Sequence, residues 1–133
     1  GIGSLYTSVI PNLIIPGIPE AIYDNPCPKI YFCNAMSQPG ETDGYSMEDH
    51  VRALEKHSFT NPADLVVIND ATLPADVLAR YAAMGSHPVV SDGSDQSYEV
   101  WRRQLTILSD SGRVRHDPEA VRQAVQEILE ELD

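Results

Sequence analysis

Apolar positions along this chain fall into short unbroken runs that alternate with helical stripes. Lys29-Ile30-Tyr31-Phe32-Cys33, introduced by Pro26 and Pro28, Leu65-Val66-Val67-Ile68 and the shorter Pro88-Val89-Val90 are almost wholly apolar, as strands covered on both faces should be. Between the first two runs, Met47, Val51 and Leu54 share one face of a helix opened by Ser46, with Glu48 and Asp49 in its first turn, where the macrodipole favours acids. Pro74 opens another helix, whose inner stripe is Val77, Leu78 and Tyr81 and whose stop is Gly85. A last helix is capped by Asp117, begins with Pro118 and repeats Val121, Ala124, Val125, Ile128, Leu129 and Leu132 at helical spacing. Strands alternating with helices predict an α/β fold with a mostly parallel sheet and crossover helices. The polar stretch Ser91 to Ser97 reads as a mobile loop, and Gln104 to Leu108 as one more strand at a sheet edge.

With 133 residues, 42% hydrophobic and 22% charged, the chain has the size and make-up of one folded domain and not of a disordered tail or a membrane span. Nine basic against twenty acidic side chains give a net charge of -11, spread over both halves. Such a surface repels a phosphate backbone and an anionic bilayer, so nucleic acid and membrane are poor partners. A small anion is still bindable where backbone amides and an arginine converge. Cys27 and Cys33 lack the spacing of a zinc site and read as packed thiols, and the apolar stretch Val9 to Ile18 is interrupted by Pro11, Pro16 and Gly17, unlike a leader. A cytoplasmic location is expected.

Candidate chemistry lies first in the opening segment. Gly1, Gly3, Ser4 and Thr7 form a glycine-spaced turn with hydroxyls, leading into a short helix expected to end before or bend at Pro11. Amides at such a place can cradle a phosphate or carboxylate; the alternative is a tight turn with a serine cap. After the first strand come about a dozen mostly polar residues, Asn34 to Tyr45, long for a βα connection of ~2 to 6 residues. Asn34, Gln38, Gly40, Glu41, Thr42 and Asp43 thus sit beyond a strand's carboxyl end, where α/β sheets bind ligands; the alternative is a purely structural loop, since Asn, Pro-Gly and Asp-Gly are ordinary turn chemistry.

Glu41 and Asp43 read either as carboxylates for acid–base work or a magnesium ion, or as solvated acids at a helix entrance. His50, His57, His87 and His116 have no metal-ligand spacing, and no serine-triad elbow accompanies them. Arg115, in Arg113-Val114-Arg115-His116-Asp117 before the last helix, can grip a phosphate bidentately or pair with a carboxylate. Trp101-Arg102-Arg103 reads as a surface or subunit contact.

The strings GSLYTSVIPNLI, KIYFCNAMSQPGETDGYSMEDHVRAL and RHDPEAV together resemble the YvcK-like gluconeogenesis factor family, a branch of the CofD-like superfamily that includes 2-phospho-L-lactate transferase. The resemblance implies a three-layer Rossmann-like fold with helices on both sheet faces, in a cytoplasmic bacterial protein that binds nucleotide sugars of the UDP-GlcNAc type. It further implies a regulatory role in growth and cell shape on gluconeogenic carbon sources. By position, the family's ligand site would engage Gly1, Gly3, Ser4, Thr7, the Asn34 to Thr42 loop and Arg115. Family members are longer and carry an amino-terminal half with its own glycine-rich loop. Against them this chain reads as the carboxy-terminal portion of a larger domain, with Ile2 where members commonly have Pro. An exposed sheet edge would then allow pairing with a second copy.

Two other readings compete with nucleotide-sugar binding. One is a magnesium-dependent transferase of phosphorus-containing groups; the other is an acidic scaffold for protein partners that needs no ligand.

Overall fold

The computed structural model describes residues 2–132. A π-helical turn, Leu5–Val9, runs directly into α1 (Ile10–Leu13), so the chain stays helical through Pro11. Pro11, having no N–H to donate backward, ends the π-type hydrogen bonding of the first turn and is accommodated at the start of α1. A helix not anticipated above, α2 (Ile18–Asp24), follows. Gly17 precedes it at φ 94°, Pro19 lies in its first turn, and the Glu20 carboxylate accepts the Gly17 N–H at 2.8 Å.

β1 (Ile30–Phe32), β2 (Leu65–Asn69) and β3 (Glu99–Arg103) form a parallel sheet in the order β1-β2-β3, pairing Tyr31 with Val66 and Val66 with Val100. α3 (Met47–His57) connects β1 to β2, and α4 (Ala75–Ala83) lies between β2 and β3. The alternation of side chains builds three layers. Tyr31, Cys33, Val66, Ile68 and Val100 face the core shared with Leu5, Ile10, Met47, Val51 and Leu54. Ile30, Phe32, Leu65, Val67 and Trp101 face the core shared with Leu105, Ala124 and Ile128. The latter two belong to α5 (Pro118–Leu132), whose start is held by the Asp117 carboxylate accepting the Glu119 N–H at 3.0 Å.

Three expectations are corrected. Pro88 to Val90 is not a strand of the parallel sheet: it makes one antiparallel bridge, Pro88 with Met36, and buries Val89 against the loop after β1. Pro88 offers no N–H for a ladder, which confines it to such a bridge. The sheet's third strand is instead the charge-bearing Glu99–Arg103, containing the Trp101-Arg102-Arg103 triplet expected at a surface contact. Trp101 packs into the second core, Arg102 is exposed, and Arg103 lies over the Trp101 ring at 4.5 Å and pairs with Glu127 at 3.1 Å. Cys27, expected to be packed, is exposed; Cys33 is buried, and burial pushes its thiol up to about 12, as suits an inert core group.

The expected edge strand near Leu108 exists as β4 (Thr106–Leu108), but its partner is β5 (Val114–His116) in a separate antiparallel hairpin. Arg115 therefore sits in a strand rather than in the entry to the last helix. Among the described residues no helix is long and apolar enough to cross a membrane.

Candidate functional site

The parallel strands all deliver their carboxyl ends to one rim of the sheet, where α/β folds place ligands. At that rim lies a cleft of about 420 Å³, lined by residues 34–39 after β1, by Tyr81 and Met84 of α4 and the turn beyond it, by Ser86, and by residues 114–116 of the hairpin.

The loop wall is fixed by its own hydrogen bonds. Thr42, fully buried, accepts the Gln38 N–H through Oγ1 at 2.8 Å and donates its own N–H to the Gln38 carbonyl at 2.9 Å. Gly40 turns the chain at φ 80° and donates its N–H to Asp43 at 2.7 Å. The segment after α4 staples the loop from outside: Ser86 Oγ donates to the Ser37 carbonyl at 2.6 Å, and the Ser37 N–H reaches the His87 carbonyl at 2.7 Å.

The opening turn braces this loop from behind. Asn34 Nδ2 donates to the Gly3 carbonyl at 2.9 Å, and Ser4 Oγ donates to Gln38 Oε1 at 2.6 Å, with Glu41 Oε1 at 3.3 Å. Ser4 and Gly3 thus meet protein groups, not the cleft. Thr7 is exposed one turn further on and outside the lining.

The opposite wall is the hairpin. Asn69, at the end of β2, accepts the Leu105 N–H at 2.9 Å, while the Asp117 N–H closes the ribbon onto the Leu105 carbonyl at 2.7 Å. Arg115 is exposed and has no ion-pair partner among the described residues, in contrast to Arg52, Arg103 and Arg122. Beside it, His116 is partly buried and its Nε2 has no hydrogen-bond partner among the described residues; the same holds for the buried Asn34 Oδ1 across the cleft. Burial holds the His116 imidazole below its ordinary range, so it is neutral at pH 7. A neutral ring, an amide and one uncompensated guanidinium make a polar cleft with local positive charge in an acidic protein.

Of the residues singled out from sequence, the structure brings Asn34, Gln38 and Arg115 to the cleft. Gly3 and Ser4 stand behind the loop as its supports, and Glu41 and Thr42 hold it from within, outside the cleft lining. Gly40 forms the loop's turn, and Gly1 lies outside the described residues. Sequence reading placed Tyr81 on the core side of its helix and missed its position in the cleft wall, along with Met84 and Ser86; His116 it set beside Arg115 without giving it a role. No sequence signal marked the first three, because Val77, Leu78 and Tyr81 read as one continuous apolar stripe, of which the structure buries only Val77.

Glu41 and Asp43 are both engaged within or behind the loop and neither lines the cleft. Among the described residues no three His, Cys, Asp or Glu side chains gather to hold a metal ion.

The sequence model of the family described as "2-phospho-L-lactate transferase CofD" matches residues 1–108. The gluconeogenesis factor of Bacillus subtilis is 36% identical over 98% of this chain and 42% of its own length. A putative gluconeogenesis factor of Nostoc is 41% identical over 90% of this chain and 27% of its own. The crystal structure of a UPF0052 family member from Bacillus halodurans superposes with a TM-score of 0.87 at 35% identity, covering 95% of this chain and 41% of that one. The chain thus spans less than half the length of these relatives. It belongs to the CofD family, in the branch of the gluconeogenesis factors.

Proposed function

We propose that this chain contributes the ligand cleft of a cytoplasmic regulatory protein that binds a nucleotide sugar of the UDP-GlcNAc type and supports growth and cell shape on gluconeogenic carbon sources. The observation that carries the reading is Arg115, a guanidinium without a carboxylate partner among the described residues, held opposite Asn34 and Gln38 in a cleft at the strands' carboxyl ends. A diphosphate would accept from the guanidinium in bidentate fashion, and the amide side chains suit the polar edges of a base or sugar. Calorimetric titration with UDP-GlcNAc tests it. Saturable binding is expected, and Arg115→Ala should weaken it by roughly 1.5 to 3 kcal/mol, the range for a charge-assisted hydrogen bond. Unchanged affinity in the folded variant would remove Arg115 from the site.

The description of the matching family supports a second reading, a transferase of a phosphorus-containing group; a magnesium requirement is part of that reading and is not in the description. Glu41 and Asp43, the carboxylates proposed for the ion, accept from Ser4 and Gly40 and are not among the residues lining the cleft. A magnesium-dependent product formed from a nucleotide donor would establish that reading. Neither binding nor product would leave an acidic scaffold for protein partners.

A further inference from the structure

Helix α4 ends with adjacent residues that both reach the β4–β5 hairpin. The Arg80 guanidinium donates to the Gly112 carbonyl, and the Tyr81 hydroxyl accepts the Val114 N–H at 2.8 Å. Gly112, at φ 77°, leaves room for that guanidinium, since a Cβ there would come within 2.8 Å of Arg80 Nη1. β5 pairs with β4 on one side only, and a two-stranded ribbon is marginal by itself. Tyr81 supplies what a third strand would otherwise supply, at the residue next to Arg115.

The same tyrosine is tied to the other wall. Its carbonyl accepts the Ser86 N–H at 3.0 Å, and Ser86 Oγ donates to the Ser37 carbonyl at 2.6 Å. A continuous path therefore runs from the Val114 amide through the Tyr81 hydroxyl, ring and carbonyl to Ser86 and the loop holding Gln38. Tyr81 itself lines the cleft that this path spans.

We propose that Tyr81 is a positioning residue that sets the width of the cleft, holding the Arg115 strand at a fixed distance from the 34–39 loop so that one ligand is met from both walls, its anionic group by Arg115 and its polar edges by the loop amides. The proposal rests on the nucleotide-sugar reading above for its ligand, and on the hydrogen-bond path alone for its geometry. Removing only the hydroxyl cuts the path and leaves the ring packed.

The test is a double-mutant cycle read by calorimetry with UDP-GlcNAc. Tyr81→Phe is expected to lower affinity about three- to tenfold, the equivalent of one neutral hydrogen bond. In an Arg115→Ala background the same substitution should change affinity by less than about twofold, because there is no guanidinium left to place. Ser86→Ala, which cuts the path at its other end, should couple to Arg115→Ala in the same way. An equal loss in both backgrounds, or no loss in either, overturns the proposal. A second arm uses no ligand: in ¹H–¹⁵N spectra, Tyr81→Phe should speed solvent exchange of the Val114 amide about tenfold or more and shift the Arg115 Nε–H signal. Unperturbed signals at both places refute the positioning role. If the unmodified protein does not bind UDP-GlcNAc, the ligand reading falls, and the spectra alone decide the role of Tyr81.

Discussion

Ser4 Oγ stands 2.6 Å from Gln38 Oε1, joining residues 34 positions apart so that the opening turn and the cleft loop move as one piece. The hydroxyl's engagement with the amide oxygen leaves the Gln38 amide nitrogen as the end available to a ligand. With Asn34 oriented by the Gly3 carbonyl, two cleft amides have their polarity set by two consecutive residues.

Ser4→Ala removes that donor from a partly buried amide. A loss of about 0.5 to 1.5 kcal/mol in folding stability is expected, read from the urea midpoint. An unshifted midpoint would mean the brace is dispensable.

Gly3 is constrained by its own turn and not by space for a ligand. A Cβ at Gly3 would lie 2.9 Å from Ser8 Cβ, too close for either atom to stay in place. Gly3→Ala should cost about 1 to 3 kcal/mol through overpacking. Thermal unfolding of the pair Gly3→Ala with Ser8→Gly should recover most of the loss; failure to recover would place the strain elsewhere.

Ser46 serves two partners: its Oγ accepts the Asp49 N–H at 3.0 Å and donates to Asp92 at 2.8 Å. Ser46→Ala should destabilise α3 by about 0.5 to 2 kcal/mol as a lost N-cap. It should also loosen the loop after Val90, detectable as faster proteolysis there. Ser46→Asp preserves the cap but sets a second carboxylate against Asp92, and should restore less stability than an exposed cap would.

Burial holds both His50 and His116 below their ordinary value of 6.5. The unfolded chain therefore binds protons that the folded chain refuses, and stability must fall as pH drops below about 6.5. Urea unfolding between pH 7.5 and 5 should show this slope, and His50→Gln with His116→Gln should flatten it. A slope unaffected by both replacements would assign it to carboxylates.

The sheet's centre and the helices with capping chemistry were legible because burial on both faces writes itself into sequence: Leu65 to Ile68 has no polar member, and Ser46, Asp117 and Pro118 mark starts by mechanism. β3 was not, since Arg102 and Arg103 disguise a strand whose inward side chains are Val100 and Trp101. α2 carried a readable start in Gly17, Pro19 and Glu20, overshadowed by the prolines before it. In the site, Asn34, Gln38 and Arg115 were visible as polar residues after a strand or before a helix. The division between groups lining the cleft and groups bracing it was not, because Ser4 and Tyr81 act through hydrogen bonds to residues 34 and 33 positions away.

The ribbon bearing Arg115 shares no ladder with the parallel sheet. Selection can therefore rewrite the ribbon's side chains without repacking the aliphatic interior, and one scaffold can drift toward a new small molecule by exchanges at a few exterior positions. Divergence in specificity among kin of this protein should accumulate in that finger first.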